Sequence, residues 1–250
     1  MSPAVAFLCA LGLLAGSTVK GVAGIGLPLV AVPLLTVLVN LKTAVTMTTV
    51  PIIGSNFVQS VQGGRFPHLV KRFWTLLVPL FIAIIVGTRL LVVLPERVLE
   101  LIIGVAVISI PLLLHFTPRL RVTREHERWA NPLIGIGSGL LGGISTFYGP
   151  PIMLYVFGMR LAKDEFIPTI SLMYTVAGVG MLFGIYANQV ATPAEIGVAF
   201  LMLIPTAIGM WIGRFVRVQL SERRFQQLIV AIYVVTGLTF LADAFLGWRG

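Results

Sequence analysis

Long apolar runs, interrupted by short polar breaks, make up most of this chain. Six of the runs approach the roughly 20 helical residues that are needed to cross a bilayer core of about 30 Å. They are Ala44 to Val61, Phe73 to Val93, Val98 to Phe116, Phe166 to Ala187, Ala194 to Phe215 and Phe225 to Leu246. The pattern predicts an all-α polytopic membrane protein with three such helices in each half.

A glycine- and proline-rich passage precedes each set of three runs. The first is Ala15 to Pro33, AGSTVKGVAGIGLPLVAVP, and the second is Gly139 to Tyr155, GLLGGISTFYGPPIMLY. A shift of 123 residues (151 − 28) relates the two and pairs Gly16 with Gly139, Gly26 with Gly149 and Pro28 with Pro151. The chain is therefore predicted to contain two repeats, residues 1–116 and 131–250, joined by a polar linker at residues 117–130.

The limbs of the two passages differ in length. Gly149 to Met159 is about half as long as a span requires, and Pro132 to Thr146 before it is also short. We therefore expect the second passage to form a helical hairpin that enters the membrane and returns. The limbs of the first passage, Pro3 to Val19 and Gly26 to Val39, are longer, so a hairpin and two full spans both stay open.

Basic residues indicate the orientation, because short cytoplasmic loops are enriched in Lys and Arg. If each passage is a there-and-back hairpin, the two sides of the membrane hold very different numbers of them. One side holds Arg65, Lys71, Arg72, Arg119, Arg121, Arg124, Arg128, Arg160, Lys163, Arg214, Arg217, Arg223 and Arg224, and the other holds Lys42, Arg89, Arg97 and Arg249. This asymmetry predicts two inverted-topology repeats, with the linker in the cytoplasm and both termini outside it.

Composition supports the membrane assignment and narrows the partners. Hydrophobic residues make up 57% of the chain and charged residues 11%, whereas a soluble domain carries about 25% charged residues. The net charge of +9 is spread singly over short loops, so we expect no nucleic acid to bind. The single cysteine, Cys9, permits no disulfide within the chain. A lipid bilayer is the expected surrounding, and a homo-oligomer is left open.

Inverted repeats that are broken near the bilayer midplane are typical of secondary transporters, whose site lies at the repeat interface. Glycines such as Gly24 let the chain turn and let a ligand approach the main chain. Proline at a helix start removes no helix hydrogen bond, so Pro28 and the pair Pro150 and Pro151 are placed to begin half-helices. Because the positive ends of such helices favour an anion, we predict an anion site where the two breaks converge.

Lys20 adds a positive charge to the first passage. An ionisable group within an apolar hairpin costs about 3 kcal/mol unless water or a counter-ion meets it, and the sequence offers no obvious carboxylate partner. A substrate anion is a natural counter-charge. The alternative is that the first passage spans the membrane fully and that Lys20 is another positive residue of the cytoplasmic interface.

Further polar residues fall on helix faces that are suited to a substrate path. They are Thr48, Ser55, Asn56 and Gln59 in the first half, and Ser171 and Tyr174 in the second. We predict that Asn56 and Gln59 line the path, whereas helix packing is the competing interpretation for Thr48 and Ser171. Tyr148, beside the second break, is placed either to donate a hydrogen bond to an oxyanion or to lie at the membrane interface.

Catalytic patterns are sparse in this sequence. The three histidines lie at run ends or in loops, and no His-x-x-x-His or paired-carboxylate pattern falls within an apolar run. We therefore expect neither an enzyme nor a bound metal or cofactor.

The two passages resemble those of the TauE/SafE family of membrane permeases, also described as sulfite exporters. The resemblance rests on GVAGIGLPLVAVPLL, followed by TAVTMTT at Thr43, and on NPLIGIGSGLLGGISTFYGPPIMLY in the second half. The chain departs from the family at Ser145 to Tyr148, where members usually show a fuller glycine run. The resemblance implies transport of sulfite, sulfonates or sulfoacetate across the bacterial inner membrane.

With that resemblance, the sequence predicts a secondary transporter that moves a small, sulfur-containing anion by alternating access. A non-transporting membrane scaffold or partner subunit is the alternative, in which the glycines serve helix packing of the small-xxx-small type.

Overall fold

A computed structural model describes residues 2–24, 26–116, 121–217 and 222–246, with the backbone alone at residues 23, 110–116, 163–164, 217, 222–230, 232–233 and 246. Every regular element within these ranges is helical. The α-helices, in chain order, are α1 (Pro3–Ala23), α2 (Leu27–Thr36), α3 (Leu41–Ser60), α4 (Phe66–Val93), α5 (Glu96–Phe116), α6 (Arg124–Ser145), α7 (Gly149–Gly158), α8 (Lys163–Ala187), α9 (Pro193–Leu201), α10 (Leu203–Arg217) and α11 (Glu222–Leu246). The prediction of an all-α protein is confirmed.

Several helices have the length and surface that a bilayer requires. Among the described residues, the segments long and apolar enough to cross a membrane are Pro3–Val22, Phe66–Val93, Glu165–Ala187 and Pro193–Val216. On α4, the exposed side chains recur every four residues as Trp74, Val78, Ile82 and Val86. An apolar stripe of this kind faces lipid instead of water, because a helix crossing the hydrocarbon core needs no polar outer face.

The chain forms two compact units, and each contains parts of both predicted repeats. Unit 1 comprises Met1–Pro51, Pro95–Pro111 and Ala191–Gly250, and unit 2 comprises Ile52–Leu94 and Leu112–Val190. Unit 1 therefore holds α1 and α2 together with α9, α10 and α11, whereas unit 2 holds α6 and α7 together with α4 and α8. The repeat boundaries stay a prediction about the sequence, as does the inverted orientation of the repeats.

In unit 1, α1 packs closely along α10 through small residues. A methyl group added at Gly21 would lie 2.5 Å from the carbonyl oxygen of Met210 and 2.9 Å from Cα of Gly213. Such contacts let two helix backbones approach, which is the usual way that helices associate in lipid. The short helix α2 is bound to α11, since the hydroxyl of Thr236 donates a hydrogen bond of 2.6 Å to the carbonyl oxygen of Leu29.

In unit 2, α6 packs along α4 in the same manner. A methyl group added at Gly143 would lie 2.5 Å from the carbonyl oxygen of Ile84 and 2.6 Å from Cα of Gly87. The amide of Asn188, at the end of α8, donates to the hydroxyl of Thr88 on α4 at 2.8 Å. Helix α4 is therefore packed against both α6 and α8.

The limb before the second break is longer than the sequence analysis predicts. Helix α6 has 22 residues and begins at Arg124, so residues 124–130 of the predicted linker are helical; residues 117–120 lie outside the described residues. The helix begins early because Glu125 and Glu127 lie in its first turn, where acidic side chains complement the positive end of the helix dipole. The prediction of a short first limb from Pro132 is wrong.

The second limbs are short in both passages. Helices α2 and α7 have 10 residues each, which makes them about 15 Å long, half the thickness of the bilayer core. Within the limb predicted over Gly26 to Val39, the helix ends at Thr36. By itself α2 is too short to be the second full span that one interpretation of the first passage requires.

Candidate functional site

The first break, in unit 1, is formed by glycines in the left-handed region. Gly24 ends α1 with φ 76°, and its N–H donates to the carbonyl oxygen of Lys20 at 2.6 Å. Gly26 caps α2 with φ 98°, a conformation that other residues adopt only with strain. Pro28 follows as the second residue of α2, where its missing N–H leaves no helix hydrogen bond unmade. The predicted roles of these residues in breaking the helix are confirmed.

Lys20 lies on the last turn of α1 and its side chain is 1% exposed. Gly16, one turn earlier on the same face, contacts Ala31 of α2, so this face of α1 is turned towards the short limb. The residue also falls inside the candidate span Pro3–Val22. An interfacial lysine extends its ammonium group to water. The burial of Lys20 therefore favours the interpretation in which its charge lies within the hairpin over the one in which it lies at the cytoplasmic interface.

The second break, in unit 2, is made without glycine at the turn. Thr146 ends α6 in the left-handed region, with φ 63°, and its N–H donates to the carbonyl oxygen of Gly142 at 2.7 Å. The hydroxyl of Ser145 supports the turn, because it accepts a hydrogen bond of 3.1 Å from the N–H of Phe147. Ser145 and Thr146 thus take the place of the glycines of the first break, and both side chains are buried.

Helix α7 begins at Gly149, followed by Pro150 and Pro151. Neither proline has an N–H, so the first four residues of α7 offer only the N–H groups of Gly149 and Ile152 to a ligand. The corresponding end of α2 has a single proline and offers three. Both ends carry the positive end of a helix dipole, but the second has fewer N–H groups in its first four residues.

Tyr148 is the residue that directly precedes α7. Its side chain is 1% exposed, and its hydroxyl has no hydrogen-bond partner among the described residues. The ring packs edge-on against Tyr174 with centroids 5.0 Å apart, and its Cβ would lie 2.6 Å from a methyl group added at Gly142. A methyl group added at Gly149 would lie 2.5 Å from the hydroxyl oxygen of Tyr174, so the glycine leaves room for this hydroxyl beside the break.

Other predicted site residues of unit 2 connect α3 to α8. The hydroxyl of Ser171 donates to the side-chain oxygen of Gln59 at 3.2 Å, and Tyr174 lies one turn further along α8. Asn56 is 2% exposed, and its amide donates to the carbonyl oxygen of Ile52 in its own helix at 2.8 Å. Gln59, Ser171 and Tyr174 thus form a polar series that leads to the break, while Asn56 lies one turn before Gln59.

The pairing of the two passages requires a correction of one residue. The last residues of the long limbs are capped by Gly24 and Thr146, a shift of 122 (146 − 24), and the short helices begin at Leu27 and Gly149, again 122 apart. The packing glycines Gly21 and Gly143 show the same shift. The pairings of Gly16 with Gly139, Gly26 with Gly149 and Pro28 with Pro151 are therefore wrong. They match residue types, whereas the helix geometry pairs Pro28 with Pro150.

The corrected register shows that the two breaks carry their long polar side chains on opposite limbs. Lys20 now pairs with Gly142, and Gly26 pairs with Tyr148. In the first break the long side chain comes from the end of the first limb, and in the second it comes from the start of the second limb. The two breaks thus share a long helix, a turn and a short helix, but their polar side chains differ.

A comparison with known protein families decides the family. The family model described as the sulfite exporter TauE/SafE matches residues 8–240. The chain belongs to the TauE/SafE family. No curated protein and no solved structure matches it.

Membership in the TauE/SafE family, a family of transporters, makes this chain a membrane permease and confirms the resemblance seen in the sequence. The helices that are long and apolar enough to span a membrane agree with a multi-pass protein. Within the described ranges, no three His, Cys, Asp or Glu side chains lie close enough together to hold a metal ion.

The glycines of this TauE/SafE member fall into two groups with different functions. Gly21, Gly143 and their neighbours pack helices against each other within a unit, as the scaffold interpretation expects of small residues. Gly24 and Gly26, in contrast, have φ values that break the helix. Packing alone therefore does not account for the glycines at the first break.

Unit 2 also contains a cluster of polar side chains that the sequence pattern does not predict. Arg72 and Thr75 on α4, Glu127 and Asn131 on α6, and Tyr155 on α7 are joined by hydrogen bonds. The available signal was spacing, since Glu127 and Asn131 lie on one face of α6. Arg72 has no such signal, because it precedes the apolar run at Phe73 and its partner Glu127 is 55 residues away in the sequence.

Proposed function

We propose that this chain is a secondary transporter that moves a small sulfur-containing oxyanion across the bacterial inner membrane by alternating access. The observation that carries the proposal is at the second break, where Tyr148 directly precedes the short helix α7 and its buried hydroxyl has no hydrogen-bond partner among the described residues. A buried hydroxyl is usually paired. Pairing with a ligand would supply the partner that this hydroxyl lacks.

The donors at the second break suit an anion with several oxygens. The N–H groups of Gly149 and Ile152 and the hydroxyl of Tyr148 donate hydrogen bonds, and the helix dipole favours negative charge. Sulfite and sulfonate groups present three oxygens that accept such bonds. Pro150 and Pro151 limit the number of N–H donors, so removal of the hydroxyl of Tyr148 would leave one oxygen without a partner.

Lys20 has a complementary role in this proposal. Its buried ammonium group is proposed to form a charge-assisted contact with an anion at the first break, which is about twice as strong as a neutral hydrogen bond. Its compact shape suits a glycine-lined break better than a planar guanidinium. That the two breaks converge on one anion stays a prediction of the repeat interpretation.

The polar series of Gln59, Ser171 and Tyr174 is proposed to line the route by which the anion reaches the second break. Ser171 and Gln59 exchange a hydrogen bond, so an arriving anion would compete for the serine hydroxyl. Asn56 is proposed to extend this route by one helical turn along α3.

Flux measurements on purified protein in liposomes test the proposal. Sulfite, an alkanesulfonate, sulfoacetate and acetate are each presented at increasing concentration, and saturable flux is expected for the sulfur oxyanions ahead of acetate. An imposed proton or sodium gradient, in either direction, identifies the coupling ion and the direction of transport. If no anion shows saturable flux, a scaffold or partner subunit is the better description.

A further inference from the structure

A cluster of five side chains, which we call the α7 clamp, links α7 to α6 and α6 to α4 away from the break. The members of the α7 clamp are Arg72, Thr75, Glu127, Asn131 and Tyr155. The hydroxyl of Tyr155 donates to the side-chain oxygen of Asn131 at 2.6 Å, and the amide of Asn131 donates to the hydroxyl of Thr75 at 2.8 Å. Arg72 pairs with Glu127 through two hydrogen bonds, one of which, from Nε to Oε2, measures 3.1 Å.

The α7 clamp is shielded from solvent. Asn131 is 2% exposed, Tyr155 3% and Glu127 8%, and the side chain of Arg72 is 17% exposed. Polar and charged groups at such depth are costly unless they are paired. Their mutual hydrogen bonds therefore hold three helices in one arrangement, because a shift of any helix would leave a buried group unpaired.

The geometry of α7 links the clamp to the break. Tyr148 and Tyr155 are seven residues apart (155 − 148), or about two helical turns, and so lie on one face of the helix. Both meet α6, since Tyr148 packs against Gly142 and Tyr155 bonds to Asn131. A rotation or slide of α7 would break the second contact and displace the first. The hydrogen bond at one end of α7 thus fixes the side chain at the other.

Unit 1 shows that the packing of these helices does not itself require the clamp. The register shift is 122 between α1 and α6 and between α2 and α7, and it is 126 (213 − 87) between α4 and α10, where Gly87 and Gly213 make matching contacts. The positions in unit 1 that match Glu127, Asn131 and Tyr155 by the shift of 122 are Val5, Cys9 and Pro33, all apolar. Helices α1 and α2 still pack against each other there, with Gly16 against Ala31, so the packing of a short limb on a long limb does not depend on these polar side chains.

We infer that the α7 clamp positions the second break, and that Tyr155 and Asn131 are positioning residues for the anion site. The inference rests on the proposed function for the identity of the ligand. The inference that loss of the clamp makes α7 more mobile depends only on the observed contacts. It can be tested without any anion.

Thiol labelling measures the freedom of α7 directly. Met153, on α7 between the break and Tyr155, is 2% exposed, so a Met153→Cys variant in a Cys9→Ala background should react slowly with a small maleimide. Adding Tyr155→Phe removes one hydroxyl and should accelerate labelling about fivefold, the effect of losing one interhelical hydrogen bond. Tyr186→Phe is the matched control, because Tyr186 is 72% exposed and lies outside the clamp.

A charge exchange tests the ion pair of the clamp. Arg72→Glu should also accelerate labelling of the same cysteine, because two buried carboxylates placed together should displace α6, which carries the Asn131 partner of Tyr155, from α4. The double variant with Glu127→Arg should restore slow labelling. Should the single charge variant fail to fold, Tyr155→Phe, with Asn131→Leu as a second variant, decides the question.

Transport kinetics separate positioning from general stability. Tyr155→Phe should raise the KM for the transported sulfur oxyanion about fivefold with Vmax changed less than twofold, and Tyr186→Phe should change neither. Unchanged labelling in both Tyr155→Phe and Asn131→Leu overturns the clamp, and faster labelling with unchanged KM overturns its positioning role. If the unmodified protein moves no anion, the proposed function fails, and the labelling result still decides whether the clamp holds α7.

Discussion

The hydroxyl of Tyr148 gives a prediction in which stability and binding change in opposite directions. The group is buried and unpaired among the described residues, so in the empty protein it contributes a desolvation cost of about 1–3 kcal/mol and no compensating hydrogen bond. Tyr148→Phe removes that cost while keeping the ring contact with Tyr174. We expect the free energy of unfolding to stay the same or to rise by about 1 kcal/mol, which raises Tm by about 2–4 °C at this chain length.

Anion binding should respond in the other direction. A hydrogen bond to a charged group contributes about 1.5–3 kcal/mol, so its loss should weaken anion affinity about ten- to a hundredfold. The assay is thermal unfolding of the purified protein over a series of sulfite concentrations, because a ligand that binds the folded state raises Tm by an amount that reports its affinity.

Tyr155→Phe is the matched comparison, since Tyr155 lies on the same helix and is buried to a similar extent. Its hydroxyl is bonded to Asn131, so its removal should lower stability by about 0.6–1.7 kcal/mol. If Tyr148→Phe lowers Tm as much as Tyr155→Phe does and leaves sulfite affinity unchanged, the hydroxyl of Tyr148 is structural and the proposed site is wrong.

Three further perturbations test other parts of the structure. Lys20→Gln should weaken anion affinity about ten- to a hundredfold with expression preserved, and unchanged affinity together with a mixed membrane orientation would make Lys20 a topology signal. Gly143→Ala should lower the free energy of unfolding by about 1–3 kcal/mol, because its methyl group would collide with the backbone of α4. Gly137→Ala, on the same helix with open space around it, should be neutral or stabilising by about 1 kcal/mol in denaturant unfolding, and equal losses in both would contradict the packing explanation. Single cysteines at Thr123 and Lys42 should react with an impermeant thiol reagent from opposite sides of the membrane, and labelling from one side would refute the inverted topology.

The sequence alone was sufficient for features that depend on local physics. Long apolar runs require a membrane whatever their partners are, because lipid is the only solvent that accepts them at this density. Gly24, Gly26 and Pro28 break the helix through their own backbone preferences, which no distant contact needs to supply. The family motif is local in the same sense, and the family match confirmed it.

The start of α6 and the register between the two passages could be determined only from the structure. Polar residues from Arg124 onwards read as a loop, but acidic side chains at a positive helix end make them the first turns of a long helix. Thr146 takes the left-handed conformation that the sequence pattern assigned to glycine. Pairing the two passages by residue type therefore gives a shift of 123, one residue more than the shift of 122 that the helix geometry gives.

Tertiary contacts alone determined how the candidate site is supported. Tyr155 and Asn131 are 24 residues apart in the sequence, and Arg72 and Glu127 are 55 apart. Neither separation has a periodic signature, because each pair meets only after separate helices have packed. The unpaired hydroxyl of Tyr148 is likewise invisible in the sequence, since a missing partner becomes apparent only when every neighbouring donor and acceptor among the described residues has its place.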